Sequence, residues 1–292
     1  MGRLSLLRIV ATILVTSFLT PMLADAASKT KKAKKADSKV YYYYEQKPFD
    51  DSQQKLQPNF LGHNYLAVRK KLSEHKDNFF VKDEFETSEQ YNKRMVEYSS
   101  TVFTGTTKLN DLVAFVTAFR PDVSYDADTQ VVSISPVTRF LDNSDRIRDR
   151  EGITLTTRPP EYSYYTASTA FGVKRKIRHA SYVSVDAALE NGLQTDFEFN
   201  LSPHKAKAAK DHGHLVLVGF LEPPFNGISK NETTATIDNP FEETDLVLCL
   251  LFRVTQIWLI NDKSGEVYYK YIIQASDDVT NPSSNTPDSD TL

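Results

Sequence analysis

The chain holds a single cysteine, Cys249, among 292 residues. One cysteine forms no internal disulfide. A body built this way for an oxidising compartment is held by its apolar core alone. Beyond the N-terminus the chain also lacks a plain apolar run. The strongest candidate, LVLCLLFRVTQIWLI (246–260), carries Arg253 and Gln256 in its middle and is crowded with β-branched and aromatic residues. It reads as a buried strand rather than a membrane span. No H-E-x-x-H, no Cys/His zinc spacing, no G-x-S-x-G elbow, no phosphate loop and no dinucleotide fingerprint occurs. Those enzyme classes therefore leave no readable signature. No cofactor is called for. Excess positive charge is missing too: the formal net charge is −3, which argues against nucleic acid as the main partner.

What is present begins at the N-terminus. Arg3 and Arg8 precede an apolar run from Ile9 to Leu19, Pro21 ends it, and Ala24-Asp25-Ala26 offers small residues at the positions a signal peptidase reads. This is the three-part layout of a cleavable secretory signal over residues 1–26. Its run is shorter than the roughly 20 apolar residues that span a bilayer. With no cysteine at the cleavage point, lipid attachment there is excluded. The expected destination is the periplasm or the extracellular space, with no transmembrane segment after cleavage.

Residues 27–39 (ASKTKKAKKADSK) hold six lysines and one aspartate. They read as a disordered linker that could tether the chain to phosphate-bearing lipid, lipopolysaccharide or wall polymer. Residues 274–292 are rich in Ser, Asp and Pro and read as a disordered tail. Between them, residues 40–273 form one body, divisible into lobes at 40–140 and 152–273. Its charge is mildly acidic.

The pattern in residues 40–125 predicts helix. Thr87 and Gln90 have capping-box spacing, and Tyr91, Met95 and Tyr98 follow as one apolar stripe. A second helix is expected over about 107–119 from Leu109, Leu112, Val113, Phe115, Val116 and Phe119, ended by Pro121. A weaker one is expected over about 63–75. From Gln130 on, strands are expected at 131–135, 172–185, 195–201 and 214–221, the last ended by Pro223-Pro224. Ser202-Pro203 opens a short helix that Gly213 closes. A final hairpin joins 246–260 to EVYYKYII, with Gly265 in the left-handed position of the turn. Residues 142–151 read as a charged loop. The fold class expected is α+β, helix-leaning in the N-terminal part and a mainly antiparallel sheet in the C-terminal part.

Lys82, Glu84, Phe85, Glu86, Thr87, Tyr91 and Arg94 together resemble a motif of uncharacterised exported bacterial proteins, which carry F-E-T followed by Tyr and Arg at a helix start. Ala170-Phe171-Gly172-Val173, Ser202-Pro203 with Ala206, Pro223-Pro224-Phe225 and the D-x-x-S-G-E-V hairpin at 262–267 are similar to later blocks of that family. Thr169 stands where the pattern often has Asn. The resemblance implies a shared exported fold and supplies no activity or catalytic residue.

Several short constellations invite a chemical reading. Ser202-x-x-Lys205, Ser229-x-Asn231 and Lys263-Ser264-Gly265 mimic the order of a penicillin-recognising serine enzyme. They fall within 64 residues, too few for that architecture. His212 and His214, with His204 and Asp211 near, are weak metal candidates. Lys174, Lys176 and Arg178 alternate along one predicted strand and would share a face able to receive an anionic ligand. Arg146, Arg148 and Arg150 interleave with Asp145, Asp149 and Glu151, so this loop pairs its own charges and reads as structural or solvated. Arg94, Glu86 and Tyr91 read best as a polar tie at a helix start. Tyr41 to Tyr44 read as a first strand. Cys249, among leucines, reads as core. Catalytic residues stay unassigned.

These observations favour a non-enzymatic binding or interaction module of the bacterial envelope, with an envelope protein or anionic envelope polymer as partner. The alternatives are an envelope hydrolase using carboxylate or metal chemistry and a secreted effector.

Overall fold

A computed structural model describes residues 41–141, 150–169, 171–189 and 196–273. The signal-like segment, the lysine-rich linker, the acidic tail, Ala170, and Arg146 and Arg148 of the charged loop lie outside them.

Fifteen strands and three α-helices follow one another in these residues. They are β1 (Tyr43–Glu45), β2 (Phe60–His63), α1 (Tyr65–Leu72), α2 (Ser88–Ser99), β3 (Val102–Thr104), β4 (Thr107–Lys108), β5 (Val113–Val116), β6 (Asp122–Asp126), β7 (Val131–Ser135) and β8 (Arg139–Leu141). After these come β9 (Arg150–Thr157), β10 (Glu161–Ser168), β11 (Lys174–Leu189), β12 (Phe197–Asn200), α3 (Pro203–His212), β13 (Gly213–Thr233), β14 (Phe241–Asn261) and β15 (Val267–Ile272). The protein is mostly β, not the helix-leaning α+β fold its sequence pattern predicts.

The largest correction falls on 107–119. This stretch is β4, a turn and β5, not a helix. Leu109, Val113 and Phe115 enter one apolar cluster, while Ala114, with Leu112 and Val116 beside it, enters another. A strand buried on both faces places apolar residues at nearly every position, and that run also satisfies the i, i+3, i+4 spacing of a broad helical face.

One sheet runs in the order β1-β2-β5-β13-β14-β11-β9-β8, with β10 added on β11 and β15 on β14. It is built on two 21-residue antiparallel strands, β13 and β14. The other edge of β14 is shared. β11 takes it from Phe241 to Phe252, and β15 takes it from Gln256 to Ile260. The β11–β14 pairing is parallel, so the sheet is mixed. Its path also curls: Ala118, just past β5, donates its N–H to the Thr154 carbonyl on β9 at 2.8 Å.

Pro223-Pro224 does not end the strand. β13 passes through the pair in a register shift between Leu221 and Asn226, with a cis bond between the prolines. Prolines have no N–H to lose at an irregularity where the ladder is already broken. Phe225, there at positive φ, is wholly buried.

The main core lies on one sheet face, where the Phe115 and Phe252 rings meet edge-on at 5.4 Å between centroids. Val68 and Leu72 of α1, Met95 and Tyr98 of α2, and Ala206 and Ala209 of α3 pack there. So does the small sheet β12-β7-β6, through Val132, Ile134, Phe197 and Phe199. On the opposite face, Phe49, Leu56 and Phe60 cover Trp258 and Ile260. Gly62 shows how closely β2 approaches β5: a Cβ there would stand 2.3 Å from the Ala114 carbonyl oxygen, and its φ is +73°.

The predicted helix start after Thr87 is present in detail. Thr87 Oγ1 accepts from the Gln90 N–H, and Gln90 Oε1 accepts from the Thr87 N–H. The weaker helix expected over 63–75 is present as α1, capped by Asn64, whose side chain accepts from the Leu66 and Ala67 N–H groups. Ser202 caps α3 by position but makes no side-chain cap bond. Gly265 is left-handed, at φ +73°.

Candidate functional site

β10 and β11 form an antiparallel ribbon in which Ser168, Thr166, Tyr164 and Tyr162 stand opposite Lys174, Lys176, Arg178 and Ala180. Directly paired residues share a face, and that face recurs every second residue. Lys174, Lys176 and Arg178 therefore lie in one row with Tyr162 and Tyr164. The Lys176 ammonium sits 4.8 Å from the Tyr164 ring centre. The Arg178 guanidinium lies between two rings, 5.3 Å from Tyr162 and 4.6 Å from Phe241. The three cations and the two tyrosines are exposed, Tyr162 and Tyr164 by more than half, while Phe241 is half-buried. Between Tyr162 and Val185 the chain has no Asp or Glu. The outer edge of β10 carries no strand partner among the described residues. On such a face the cations offer charge and the rings offer rigid contact area, the chemistry that an anionic ligand would use.

Deeper along the same sheet face lies a second polar group. Arg139 on β8 reaches Asp186 on β11 through Nε at 2.5 Å and Nη2 at 2.8 Å, and Asp245 on β14 at 3.3 Å. It also donates to the Ser184 hydroxyl. Asp186 is completely buried and accepts a further bond from Thr154 at 3.3 Å. Burial opposes the Arg139 charge, but Asp186 and Asp245 outweigh it and hold its pKa above the usual value. A cavity of about 360 Å³ opens beside this pair, lined among others by Phe119, Arg158, Tyr182, Asn231, Glu243 and Asp245. Its carboxylates have partners: Asp245 takes Arg139, and Glu243 accepts from the Tyr182 hydroxyl at 3.4 Å. Sequence reasoning missed this cluster because its members come from four strands far apart in the chain. Arg139 and Asp186 carry no local signal beyond a lone charge in an apolar stretch.

Cys249 stands beside Asp186 in the β11–β14 register. Burial first, then the Asp186 charge, push its thiol up to about 12, against a smaller opposing effect of Arg139. The charged neighbours that the local sequence lacks exist in space, and their sum keeps the thiol protonated and unreactive.

The two histidines converge on an unexpected residue. His212 and His214 each place Nδ1 3.9 Å from a different oxygen of Asp262, in the turn after β14. His204, in the first turn of α3, is eight residues and about 12 Å of helix from His212. Lys263 already places its ammonium 3.1 Å from Asp262. Among the described residues no group of three or more His, Cys, Asp or Glu is arranged to hold a metal ion. Burial pushes the His214 pKa down. Arg120 and Lys263 add to that, and Asp262 opposes it.

Arg94 ties α2 to the turn before it. It grips Glu86 at 2.9 and 2.7 Å and donates to the carbonyls of Phe79 and Val81, while Tyr91 donates to the Phe80 carbonyl at 3.1 Å. This is a structural clamp. The three serine-enzyme strings do not converge: Lys205 bridges to Glu266 at 2.8 Å, beside the Lys263–Gly265 turn, but the Ser229 string stands apart. Ser229 pairs with Val247, and Lys263 lies past the far end of β14; the intervening strand spans roughly 45 Å. Arg150 belongs to β9 rather than to a loop. The tyrosine run is strand only from Tyr43, and Tyr41 and Tyr42 precede it exposed.

No helix among the described residues is long and apolar enough to cross a membrane. No family model, curated protein or solved structure matches the chain.

Proposed function

We propose that the chain is an exported bacterial envelope protein whose folded body is a binding module, and that its ligand is an anionic, phosphate-bearing surface of the envelope. The observation that carries this reading is the β10–β11 face, where Lys174, Lys176 and Arg178 stand exposed among Tyr162, Tyr164 and Phe241. The signal-like N-terminus and the lysine-rich linker agree with it: one would send the chain out, and the other would add a loose cationic tether. A Lys or Arg near an anionic surface contributes about 1 kcal/mol. Three removed together therefore lower affinity by about a hundredfold. The test is binding of the chain from Ala27 onward to soluble polyphosphate, over a salt series, for wild type and K174A/K176A/R178A. Equal affinity of the two proteins would refute the reading.

Hydrolysis is the second reading, and one observation favours it: Glu243 and Asp245 share the wall of the Arg139 cavity. Their engagement with Tyr182 and Arg139 weighs against a free acid–base pair. Turnover of an envelope glycan or ester that E243Q abolishes, with folding intact, would reverse the order of the two readings.

A further inference from the structure

The distal end of the ribbon carries a feature that charge recognition does not need. β14 begins opposite Arg178, so Lys174 to Ile177 pair only with β10. The ribbon thus projects beyond β14 by about 13 Å. At its apex Thr169 and Val173 are tied by two bonds: Thr169 N–H to the Val173 carbonyl at 3.0 Å, and Val173 N–H to Thr169 Oγ1 at 3.1 Å. Gly172, at φ +80°, donates back to the Thr169 carbonyl at 3.0 Å. The turn is closed by its own hydrogen bonds, yet Phe171 on it is 94 % exposed. Val173 is also exposed, and Ile237, from the β13–β14 connection, is exposed beside them. Ile237, Val173, Thr169 and Arg175 line one small cavity of about 140 Å³, which places the two loops side by side. Lys174, Arg175 and Lys176 follow immediately behind; Tyr165 and Tyr164 stand level with Ile177 and Arg178, and Tyr162 lies one pair of residues further back, opposite Ala180. The acids at this end are Asp238 in the neighbouring loop, and Glu242, which accepts from the Tyr165 hydroxyl at 2.7 Å.

From this order of layers we infer that the ribbon tip docks on an anionic phospholipid bilayer, with Phe171 entering the boundary between headgroups and acyl chains. The inference rests on the binding role proposed for the cationic face and names its source as lipid. The layering matches a membrane interface: an apolar apex for the acyl boundary, cations at the depth of the phosphates, and tyrosines at the headgroup level. A soluble polyanion or a wall polymer would use the cations and leave Phe171 in water. Fixed by the closed turn, Phe171 has no apolar contact to give up on insertion.

The experiment uses the chain from Ala27 onward with vesicles of equal phosphatidylglycerol and phosphatidylcholine, and soluble polyphosphate in parallel. F171W places a reporter at the tip, while the single native tryptophan, Trp258, is buried and supplies a constant background measured in wild type. The F171W emission is expected to shift to the blue with anionic vesicles and to stay unchanged with polyphosphate. F171A is expected to bind vesicles on the order of tenfold or more weakly than wild type and polyphosphate equally well. Vesicle binding with no F171W shift, or unchanged vesicle affinity of F171A, would overturn lipid insertion and leave the cationic face standing. Binding to polyphosphate but not to vesicles would do the same. Binding of neither by wild type would overturn both.

Discussion

Truncating Arg139 to alanine leaves Asp186 as a buried carboxylate with no cation. Asp186 is completely buried, while Arg139 is 32 % exposed. Removing one partner of a buried pair costs about 3–5 kcal/mol. The opening on the Arg139 side lets water reach the vacated space, which places the loss near 3 kcal/mol. In urea, with a slope of about 2–3 kcal/mol per molar, the midpoint falls by about 1–1.5 M. Trp258 fluorescence follows the transition. The double substitution R139M/D186L removes both charges and is expected to recover most of the lost stability, because a buried pair replaced by apolar groups of similar volume is often neutral. A midpoint shift below about 0.3 M for R139A, or a double variant no more stable than R139A, would refute the argument that Arg139 exists to neutralise Asp186.

Four further outcomes follow from the same geometry. T87A removes one arm of the capping box and should lower stability by about 1 kcal/mol in the same urea titration. G62A forces a methyl against the Ala114 carbonyl and a strained φ, so it should lower the urea midpoint by more than T87A does. Cys249 should resist a thiol reagent in the native state and react on unfolding. Its contribution to stability is complete below the ordinary thiol value of 9.0 and is lost as pH rises from there toward about 12, as a stability–pH series of wild type against C249A would record. His214 has its pKa pushed below the ordinary 6.5, so its contribution is present above 6.5 and is lost as pH falls through the folded value; H214Q should flatten that part of the acid limb.

Local chemistry was legible in the sequence where neighbours in the chain are also neighbours in space. The Thr87–Gln90 box, the Gly265 turn, the alternation of β7 and β12 and the row Lys174, Lys176, Arg178 all depend on spacings of two to four residues. Spacing failed at β5, where burial on both faces imitates a helix, and at Pro223-Pro224, where a register shift carries the strand on. What the sequence could not carry was partnership across the sheet. Nothing near Arg139 announces Asp186 or Asp245, which lie 47 and 106 residues away. Nothing near the histidines points to Asp262. The rings beside the cationic row were equally hidden, because Tyr162 and Tyr164 meet Arg178 and Lys176 only through the hairpin register.

The most direct test of the central claim is the polyphosphate affinity of K174A/K176A/R178A against wild type, both keeping the lysine-rich linker. A loss of about a hundredfold that shrinks as salt rises is the outcome the ribbon face predicts. Equal affinity would assign all anion binding to the linker and contradict a binding role for the folded body.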